Sequence, residues 1–372
     1  MGYKNKEVFI IKKKIVLGFV LIFLSLIPMI YSGLFLGASL DPYGNMDQLP
    51  VAIVNSEKNI IQEKLFEEKL FDLKEETSMD SAMEKLRDGK VYAIISFGED
   101  FQGKITTFPK LKENAEIQLI TSEGLNSFSS KVITSTMNQF VQHVNAELSS
   151  KIIDKMQGMN IPDSTGSIVK LQVKNIHPVK NNGEVMAPYL FSLTLFVAGI
   201  FVNQFTMRNL KKKGEKFTTY WTKQYVFPVI IGLVQVLLLL SGNFLFIHIP
   251  VNSLYQLMAF LFLTSATFLS IIVGFNKLIP GIGSLIVLIL TMFQTSAAAG
   301  VYPILLTNSL FEKINACIPM TYTIRGLRSI ISLESINLAE NVYVLIGFLI
   351  FGQFLILLSY LIHERRFKKT SN

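Results

Sequence analysis

A basic and aromatic segment, residues 208–223, has the composition of a surface that binds a partner. It contains Trp221, the only tryptophan of the chain, together with Phe217 and Tyr220. Such a mixture is typical of the membrane surface, where basic residues orient the helices and aromatic rings lie at the headgroup level. It also suits the docking of a cytoplasmic protein, and the two interpretations are compatible. The predicted docking residues are Arg208, Lys211, Lys212, Lys213, Lys216, Trp221 and Lys223.

Uncharged polar residues inside long apolar stretches form a second group. Their side chains either hydrogen-bond neighbouring helices or line a path for a transported molecule. No Asp, Glu, Lys or Arg lies within the predicted membrane spans. Because proton- and sodium-coupled transporters usually need ionisable groups there, we expect the driving energy to come from another subunit. The six residues are Asn203, Gln204, Gln235, Asn243, Gln294 and Gln353.

The stretch between residues 300 and 340 is too apolar for an ordinary loop and too often interrupted for a membrane span. Gly300 and two prolines break it. We expect short re-entrant helices that dip into the outer leaflet, with Arg325 and Arg328 at the level of the lipid headgroups. Cys317 lies in the same stretch, where we expect a packed and unreactive thiol.

Enzyme signatures are absent from the sequence. No G-x-x-x-x-G-K-[ST] pattern is present, so the chain has no P-loop for nucleotide phosphates. The G-x-S-x-G turn of serine hydrolases is also missing, and Cys317 as the single cysteine excludes an intrachain disulfide. We therefore expect no catalytic residue and neither a cofactor nor a metal bound by this chain. The histidines lie far apart, without the spacing of a zinc site: His143, His177, His248 and His363.

Six apolar stretches predict the elements that position these residues. A helix needs about 20 apolar residues to cross a bilayer, and backbone polar groups in lipid must be paired within the helix. The sequence therefore predicts an α-helical integral membrane protein with six transmembrane helices. They cover residues 15–37, 187–207, 225–247, 254–275, 279–300 and 342–362.

The first stretch, residues 15–37, also has the basic flank and apolar core of a cleaved signal peptide. However, its apolar run is longer than an ordinary signal core. Bulky residues occupy positions 34–36, so no small-x-small cleavage site is present near its end. We expect this stretch to remain in the membrane as the first span.

The distribution of charge predicts the orientation. The chain has 35 basic and 27 acidic residues, a net charge of +8. Almost half of the basic residues lie in the two termini, in the segment after the second span and at Lys277, which places these parts in the cytoplasm. The excess is therefore a topology signal of a multi-pass protein of the cytoplasmic membrane. No RNA- or DNA-binding motif accompanies it, and we expect no nucleic-acid partner.

Residues 38–186 are long enough to bury a core of their own. Short apolar runs predict strands that alternate with helical patterns, so we expect an extracytoplasmic α/β domain inserted between the first and second spans. The longest helical pattern, residues 125–156, has an apolar stripe that we assign to core packing. The predicted strands cover residues 51–55, 91–97, 117–121 and 169–176. The remaining parts are a cytoplasmic basic N-terminus (1–14), a five-helix membrane domain (187–363) with its outer re-entrant segment (300–340), and a cytoplasmic basic tail (364–372).

Two motifs resemble known families. Residues 41–55, DPYGNMDQLPVAIVN, are similar to the opening of the outer domain in the YhgE/Pip family. The segment 300–328 is similar to the last outer segment of ABC type-2 (ABC-2) permeases, a motif that these permeases share widely. The chain lacks the very long helical outer region of many YhgE/Pip members, which argues against a phage-receptor role tied to that region. The matching residues of the second motif are Gly300, Pro303, Pro319, Tyr322, Leu327 and Arg328.

The resemblance implies the membrane subunit of an ABC-2 exporter. Such permeases form homodimers, or heterodimers with a related permease, and each docks a separate ATPase subunit that holds ATP and Mg²⁺. The loop after the second span, residues 208–223, is then the coupling contact. Spans without charges suit an amphipathic substrate such as a lipid, peptide or drug, with membrane lipids around them. The alternative is a non-transporting scaffold of a secretion system or a phage-adsorption protein.

Overall fold

A computed structural model describes residues 29, 34, 43–54, 59–111, 113–155, 167–206, 212, 214–331 and 338–369. The predicted first span, residues 15–37, therefore lies almost entirely outside the described residues. Within the described part, the chain forms a five-stranded sheet with its helices, followed by a group of mostly long helices. We refer to residues 43–175 as the sheet unit and to residues 182–369 as the helical unit.

The sheet has the strand order β2-β1-β3-β4-β5. Neighbouring strands are parallel except for the antiparallel pair β3 and β4. Helices cover both faces, which is why the central strands are short, nearly continuous apolar runs. The strands are β1 (Pro50–Val54), β2 (Asp72–Glu76), β3 (Ala93–Phe97), β4 (Ala115–Thr121) and β5 (Val169–Asn175). The helices are α1 (Ile60–Glu68), α2 (Met79–Arg87), α3 (Phe101–Leu111) and α4 (Glu123–Lys155).

Two apolar layers hold the sheet unit together. Successive residues of a strand point to opposite faces, so Ile53 and Ile95 join the layer under α1, α3 and α4. Their neighbours Ala52 and Ile94 join the layer under α2, where Leu86 is also buried. Full burial of one such large aliphatic side chain contributes about 1.5–3 kcal/mol to folding. Apolar packing on both faces therefore stabilises this unit.

Four described helices of the helical unit are long and apolar enough to cross a membrane. This agrees with a mostly helical membrane protein, and each of the four overlaps one of the predicted spans. The long helices are α5 (Asn182–Thr206), α6 (Phe217–Ile247), α7 (Leu254–Leu278) and α11 (Leu338–Lys369). The shorter ones are α8 (Gly283–Ala297), α9 (Ser309–Cys317) and α10 (Pro319–Ile331).

The predicted span at residues 279–300 corresponds to α8, which has 15 residues. A crossing needs about 20, so α8 is shorter than expected. The helix is bounded by left-handed backbone at both sides, with Gly281 at φ +90° and Ala299 at φ +55°. Residues in this conformation interrupt an α-helix. The part of the chain described after residue 187 therefore has four helices of spanning length, where the sequence predicts five.

Helix α7 lies at the centre of the helical unit. Its most apolar 18-residue stretch is 72 % buried, against 17 % for that of α6. It packs closely on α11, because a Cβ placed on Gly352 would lie 2.3 Å from Ser270 Oγ. The Thr267 hydroxyl donates to the Leu345 carbonyl at 3.3 Å and links the same two helices. Close approach through small residues is typical of membrane helices, so α7 and α11 form a tightly packed pair.

Candidate functional site

The predicted loop, residues 208–223, is partly helical, because helix α6 already begins at Phe217. Phe217–Trp221 is α-helical and Thr222–Val226 forms a π-turn. The helix then continues without a break into the apolar stretch. The predicted loop is helical here because the aromatic side chains of the segment pack against α11. Single π-turns inside helices frequently mark functional sites.

The described lysines of this segment form its exposed face. Lys212, Lys216 and Lys223 are all exposed. Lys223 Nζ lies 2.7 Å from Glu215 Oε1, and the backbone N–H of Lys212 donates to Glu215 Oε2 at 3.0 Å. Burial acts to raise the pKa of the Glu215 carboxyl, but these hydrogen bonds outweigh it and lower the pKa below its ordinary value. The other predicted docking residues, Arg208, Lys211 and Lys213, lie outside the described residues.

The aromatic side chains form the opposite, inward face. Trp221 Nε1 donates to Gln353 Oε1 of α11 at 2.7 Å. The Tyr360 hydroxyl donates to the Glu215 carbonyl at 3.0 Å, and the Phe217 ring lies edge-on to the Tyr360 ring with centroids 5.3 Å apart. The indole is thus held by α11. The outward lysines are the part of the segment that a partner can contact.

A buried hydrogen-bond chain joins α6 to the ends of α7 and α11. The Tyr220 hydroxyl lies 3.1 Å from Ser359 Oγ, and Ser359 Oγ donates to the Lys277 carbonyl at 2.8 Å. Since a serine has one hydroxyl proton, Tyr220 is the donor in the first bond. Lys277 is only 3 % exposed and belongs to α7. The lysine therefore lies in the last turn of the helix and not in a loop, because the helix continues past the apolar residues to Leu278.

The six uncharged polar residues lie in different surroundings. Asn243 bonds the backbone N–H and C=O of Ile249, both at 3.3 Å, and so closes the turn after α6. Gln353 accepts the hydrogen bond from Trp221, which brings a predicted polar residue and a predicted docking residue together. Of the others, Asn203 is buried, Gln235 is half-buried and Gln204 is exposed.

Gln294 differs from the rest of this group. It is fully buried in α8, and in the described part of the chain neither of its amide atoms has a hydrogen-bond partner. Leaving a buried donor or acceptor unpaired costs about 1–3 kcal/mol. Such a group in a folded protein calls for a specific explanation, such as a functional role or a bound water. Gln294 is therefore the member of this group whose buried amide most needs an explanation.

The residues of the 300–328 motif meet between α8 and α10. Arg328 Nη2 donates to the carbonyls of Ala299 and Gly300, both at 2.9 Å. A Cβ on Gly300 would lie 2.2 Å from the Tyr189 ring, so a side chain does not fit there. Arg325 is exposed, but Arg328 turns inward to carbonyls that the end of α8 leaves without helical partners. This corrects the expectation that both arginines face the headgroups. Pro303, Pro319 and Leu327 are buried, and the Tyr322 hydroxyl donates to the Ala316 carbonyl at 2.8 Å.

The chain that follows α8 also joins the sheet unit to the helical unit. Tyr302 lies edge-on to Phe128 of α4 with centroids 4.7 Å apart. Asn126 Nδ2 donates to the Val301 carbonyl at 3.2 Å, and Leu306 is buried in the core of the sheet unit. Sequence reasoning did not identify these contacts. The signal for them in the sequence is the unusual apolar character of residues 300–306.

The Cys317 thiol is exposed at the end of α9, so the prediction of a packed thiol is wrong. The short helix α9 is amphipathic, and its buried face is formed by Phe311 and Asn315, on the side away from the cysteine. Among the described residues, no group of three or more His, Cys, Asp or Glu side chains is arranged to hold a metal ion.

Comparison with known proteins identifies the family of this chain. Residues 18–361 match the sequence model of the family described as "ABC-2 family transporter protein". The "Uncharacterized protein YhgE" of Bacillus subtilis (strain 168) is 28 % identical over 165 residues, which cover 44 % of this chain but only 21 % of that relative. No solved structure matches the chain significantly. The family match extends over most of the sequence, including all four long apolar helices, and the protein therefore belongs to the ABC-2 family of transporter membrane proteins.

Proposed function

We propose that this chain is the permease subunit of an ABC-2 exporter. It moves an amphipathic substrate, a lipid, peptide or drug, across the cytoplasmic membrane with ATP hydrolysed by a separate subunit. The observation that supports this best is the two-faced basic segment. Its lysines are exposed, while its aromatic residues are bonded to α11 and, through Ser359, to the end of α7. A force applied at the lysines therefore acts directly on two membrane helices.

The proposed topology has six spans with both termini in the cytoplasm. The first is residues 15–37, and the sheet unit is the extracytoplasmic domain between the first and second spans. Helix α8 is the fifth span. At 15 residues it covers roughly 22 Å of a hydrocarbon core of about 30 Å, and the apolar turns at its ends complete the crossing.

The proposed partner is an ATPase subunit that docks on the basic segment and holds ATP and Mg²⁺. Family membership supports this arrangement, because ABC-2 permeases typically work with an ATPase subunit. Two permease chains, identical or related, form the transporter. In this arrangement Lys212, Lys216 and Lys223 contact the ATPase, and Trp221 positions the segment without touching the partner itself.

The proposed substrate class follows from the chemistry of the spans. Gln294 has a buried amide without a partner in the described residues, and uncharged hydrogen-bonding groups suit a cargo that stays partly in lipid. Its role in the transport path is tested by substitution. Gln294→Leu removes the unpaired amide while keeping the volume similar, so we expect a stable protein with reduced export.

A pull-down from the native membrane in mild detergent, followed by an ATPase assay on the eluate, tests the proposal. The tagged protein is expected to retain a stoichiometric ATPase subunit. The double variant Lys212→Glu with Lys216→Glu is expected to lose it. Arg365→Glu with Arg366→Glu reverses the same number of charges at the end of α11 and serves as the matched control.

Retention of the ATPase by the lysine variant would contradict docking at this segment while leaving the exporter proposal in place. A wild-type preparation without any ATPase would contradict the exporter itself. The alternative, a secretion-system scaffold or phage-adsorption protein, would then be favoured, and its function would be sought in the sheet unit.

A further inference from the structure

A cavity of about 390 Å³ lies between the sheet unit and the helical unit. The turn after α2, the start of β3, the chain after α8, helix α10 and the start of α11 all contribute to its wall. Leu125, Pro303 and Ile304 supply apolar surface, while Arg325 and Arg328 supply positive charge. The volume falls in the range of about 300–1,000 Å³ that is typical of small-molecule sites.

The two arginines present their guanidinium groups to this cavity from one face of α10. They are three residues apart, a spacing that places side chains next to each other on a helix. The contacts of Arg328 with the carbonyls of Ala299 and Gly300 use Nη2 and fix the orientation of the guanidinium plane. Arg325 makes a long contact, 3.5 Å from its Nη2 to Asn315 Oδ1, and its Cζ lies 5.9 Å from the centroid of the Tyr322 ring. Several N–H donors of the pair thus remain for a ligand.

The positive charge of Arg325 and Arg328 has no ion-pair partner among the described residues. Within the described part of the chain, no salt bridge of 4.0 Å or less involves Arg325 or Arg328. Of the acidic residues on the cavity wall, Asp88 pairs with Lys90 at 2.8 Å and Glu340 lies at the start of α11. Arg328 is partly buried, and a partly buried charge without a counter-charge is unfavourable, so an anion in the cavity would stabilise it.

Tyr92 adds a neutral donor next to the arginines. Burial raises the pKa of its phenol, and the positive charges of Arg328 and Arg325 act in the opposite direction. Tyr92, Arg325 and Arg328 line the same cavity, so the phenol faces the same space as the two guanidinium groups. At neutral pH the hydroxyl keeps its proton and can donate a hydrogen bond.

We propose that this cavity binds the phosphate group of an anionic ligand, held by Arg325 and Arg328 with Tyr92 as a further donor. Guanidinium groups match phosphate oxygens in charge and in their forked geometry. Two of them offer more donors than a single carboxylate accepts. The apolar part of the wall accommodates the carbon skeleton next to the phosphate. The source is either a lipid headgroup or a free phosphate compound, and the site does not depend on ATPase docking or on the direction of transport.

Binding to the purified full-length protein in a neutral detergent tests the proposal. One arm titrates inorganic phosphate, and the other adds phosphatidylglycerol in mixed micelles, with phosphatidylcholine as the zwitterionic comparison. Saturable binding is followed by the shift of the thermal midpoint and by calorimetry. Binding of phosphatidylglycerol alone identifies a lipid headgroup, whereas binding of inorganic phosphate as well identifies a site for free phosphate compounds; both results support the site.

Arg325→Gln is the main variant, because Arg325 is exposed and its loss leaves the packing intact. We expect the dissociation constant to rise about tenfold or more, since a charged hydrogen bond contributes about 1.5–3 kcal/mol. Arg328→Lys keeps the charge but loses the fork and is expected to weaken binding as well. Arg87→Gln removes an exposed arginine of α2 outside the cavity wall and should leave binding unchanged. Absence of saturable binding in both arms, or equal weakening by Arg325→Gln and Arg87→Gln, would overturn the proposal.

Discussion

Replacement of Ser359 by alanine should loosen the contact between the basic segment and the membrane helices. Ser359 is fully buried, accepts a hydrogen bond from Tyr220 at 3.1 Å and donates one to the Lys277 carbonyl at 2.8 Å. Alanine removes both bonds and keeps the helix propensity of α11. It also leaves the 2 % exposed Tyr220 side chain without this acceptor.

The expected magnitude follows from these two bonds. Interhelical hydrogen bonds in membrane proteins contribute about 0.6 kcal/mol on average and at most about 1.7. A buried group left unpaired costs about 1–3 kcal/mol. Ser359→Ala should therefore lower the free energy of unfolding by about 2 kcal/mol. Tyr220→Phe removes one donor and leaves the bond from Ser359 to Lys277 intact, so it should cost about 1 kcal/mol.

A double-mutant cycle measures whether the two residues act together. The double variant should cost little more than Ser359→Ala alone, which corresponds to a coupling energy of about 0.6–1.7 kcal/mol. The assay is unfolding of the purified protein in mild detergent, followed by circular dichroism. Ser241→Ala is the matched control, because the Ser241 hydroxyl is exposed and bonds only the Leu237 carbonyl of its own helix. Additive single effects, or a Ser359 effect no larger than that of the control, would refute the hydrogen-bond chain.

Three further outcomes are expected. Gly300→Ala should lower the free energy of unfolding by about 1–3 kcal/mol, because the added Cβ would lie 2.2 Å from the Tyr189 ring. Thermal unfolding measures this loss, and the second substitution Tyr189→Leu should restore part of it. Trp221→Phe should cost about 1 kcal/mol by removing the 2.7 Å bond to Gln353, and an unchanged midpoint would argue against that bond. Hydrogen bonds from a lysine and a serine lower the pKa of the Glu76 carboxyl. The ionised carboxylate therefore stabilises the folded protein above the ordinary carboxyl pKa, and this stabilisation is lost as the pH falls through the lowered pKa. Thermal midpoints recorded from neutral to acidic pH should therefore fall less steeply for Glu76→Gln than for the wild type.

Most elements of the sheet unit could be predicted because apolar runs mark strands that are covered on both faces. The same reasoning fails for β2, Asp72–Glu76, whose sequence DLKEE has no apolar alternation. This strand lies at the edge of the sheet, pairs with β1 alone and has mostly polar side chains. Helix α3 was also missed, because Gly103 and Pro109 occur within it and normally argue against a helix.

The candidate site could be located from the sequence, but the hydrogen bonds between its residues and distant parts of the chain could not be predicted. The composition of residues 208–223 identified Trp221, yet nothing local indicates that its indole bonds Gln353, 132 positions away. Arg328 is a similar case, because its carbonyl partners exist only once α8 ends at a left-handed residue, Ala299. Apolar periodicity predicts which side chains are buried, but tertiary packing decides which polar atoms meet.

Helix α11 connects the two sites described above, and this has a mechanical consequence. Asn341 at its start lines the arginine cavity, and Ser359 and Tyr360 near its end bond the basic segment. Eighteen residues at 1.5 Å each separate these ends by roughly 27 Å, close to the thickness of a hydrocarbon core. Its close packing on α7 through Gly352 couples the two helices. A tilt of about 5° around the midpoint then shifts each end by roughly 1 Å, enough to alter hydrogen bonds at the cavity and at the basic segment together.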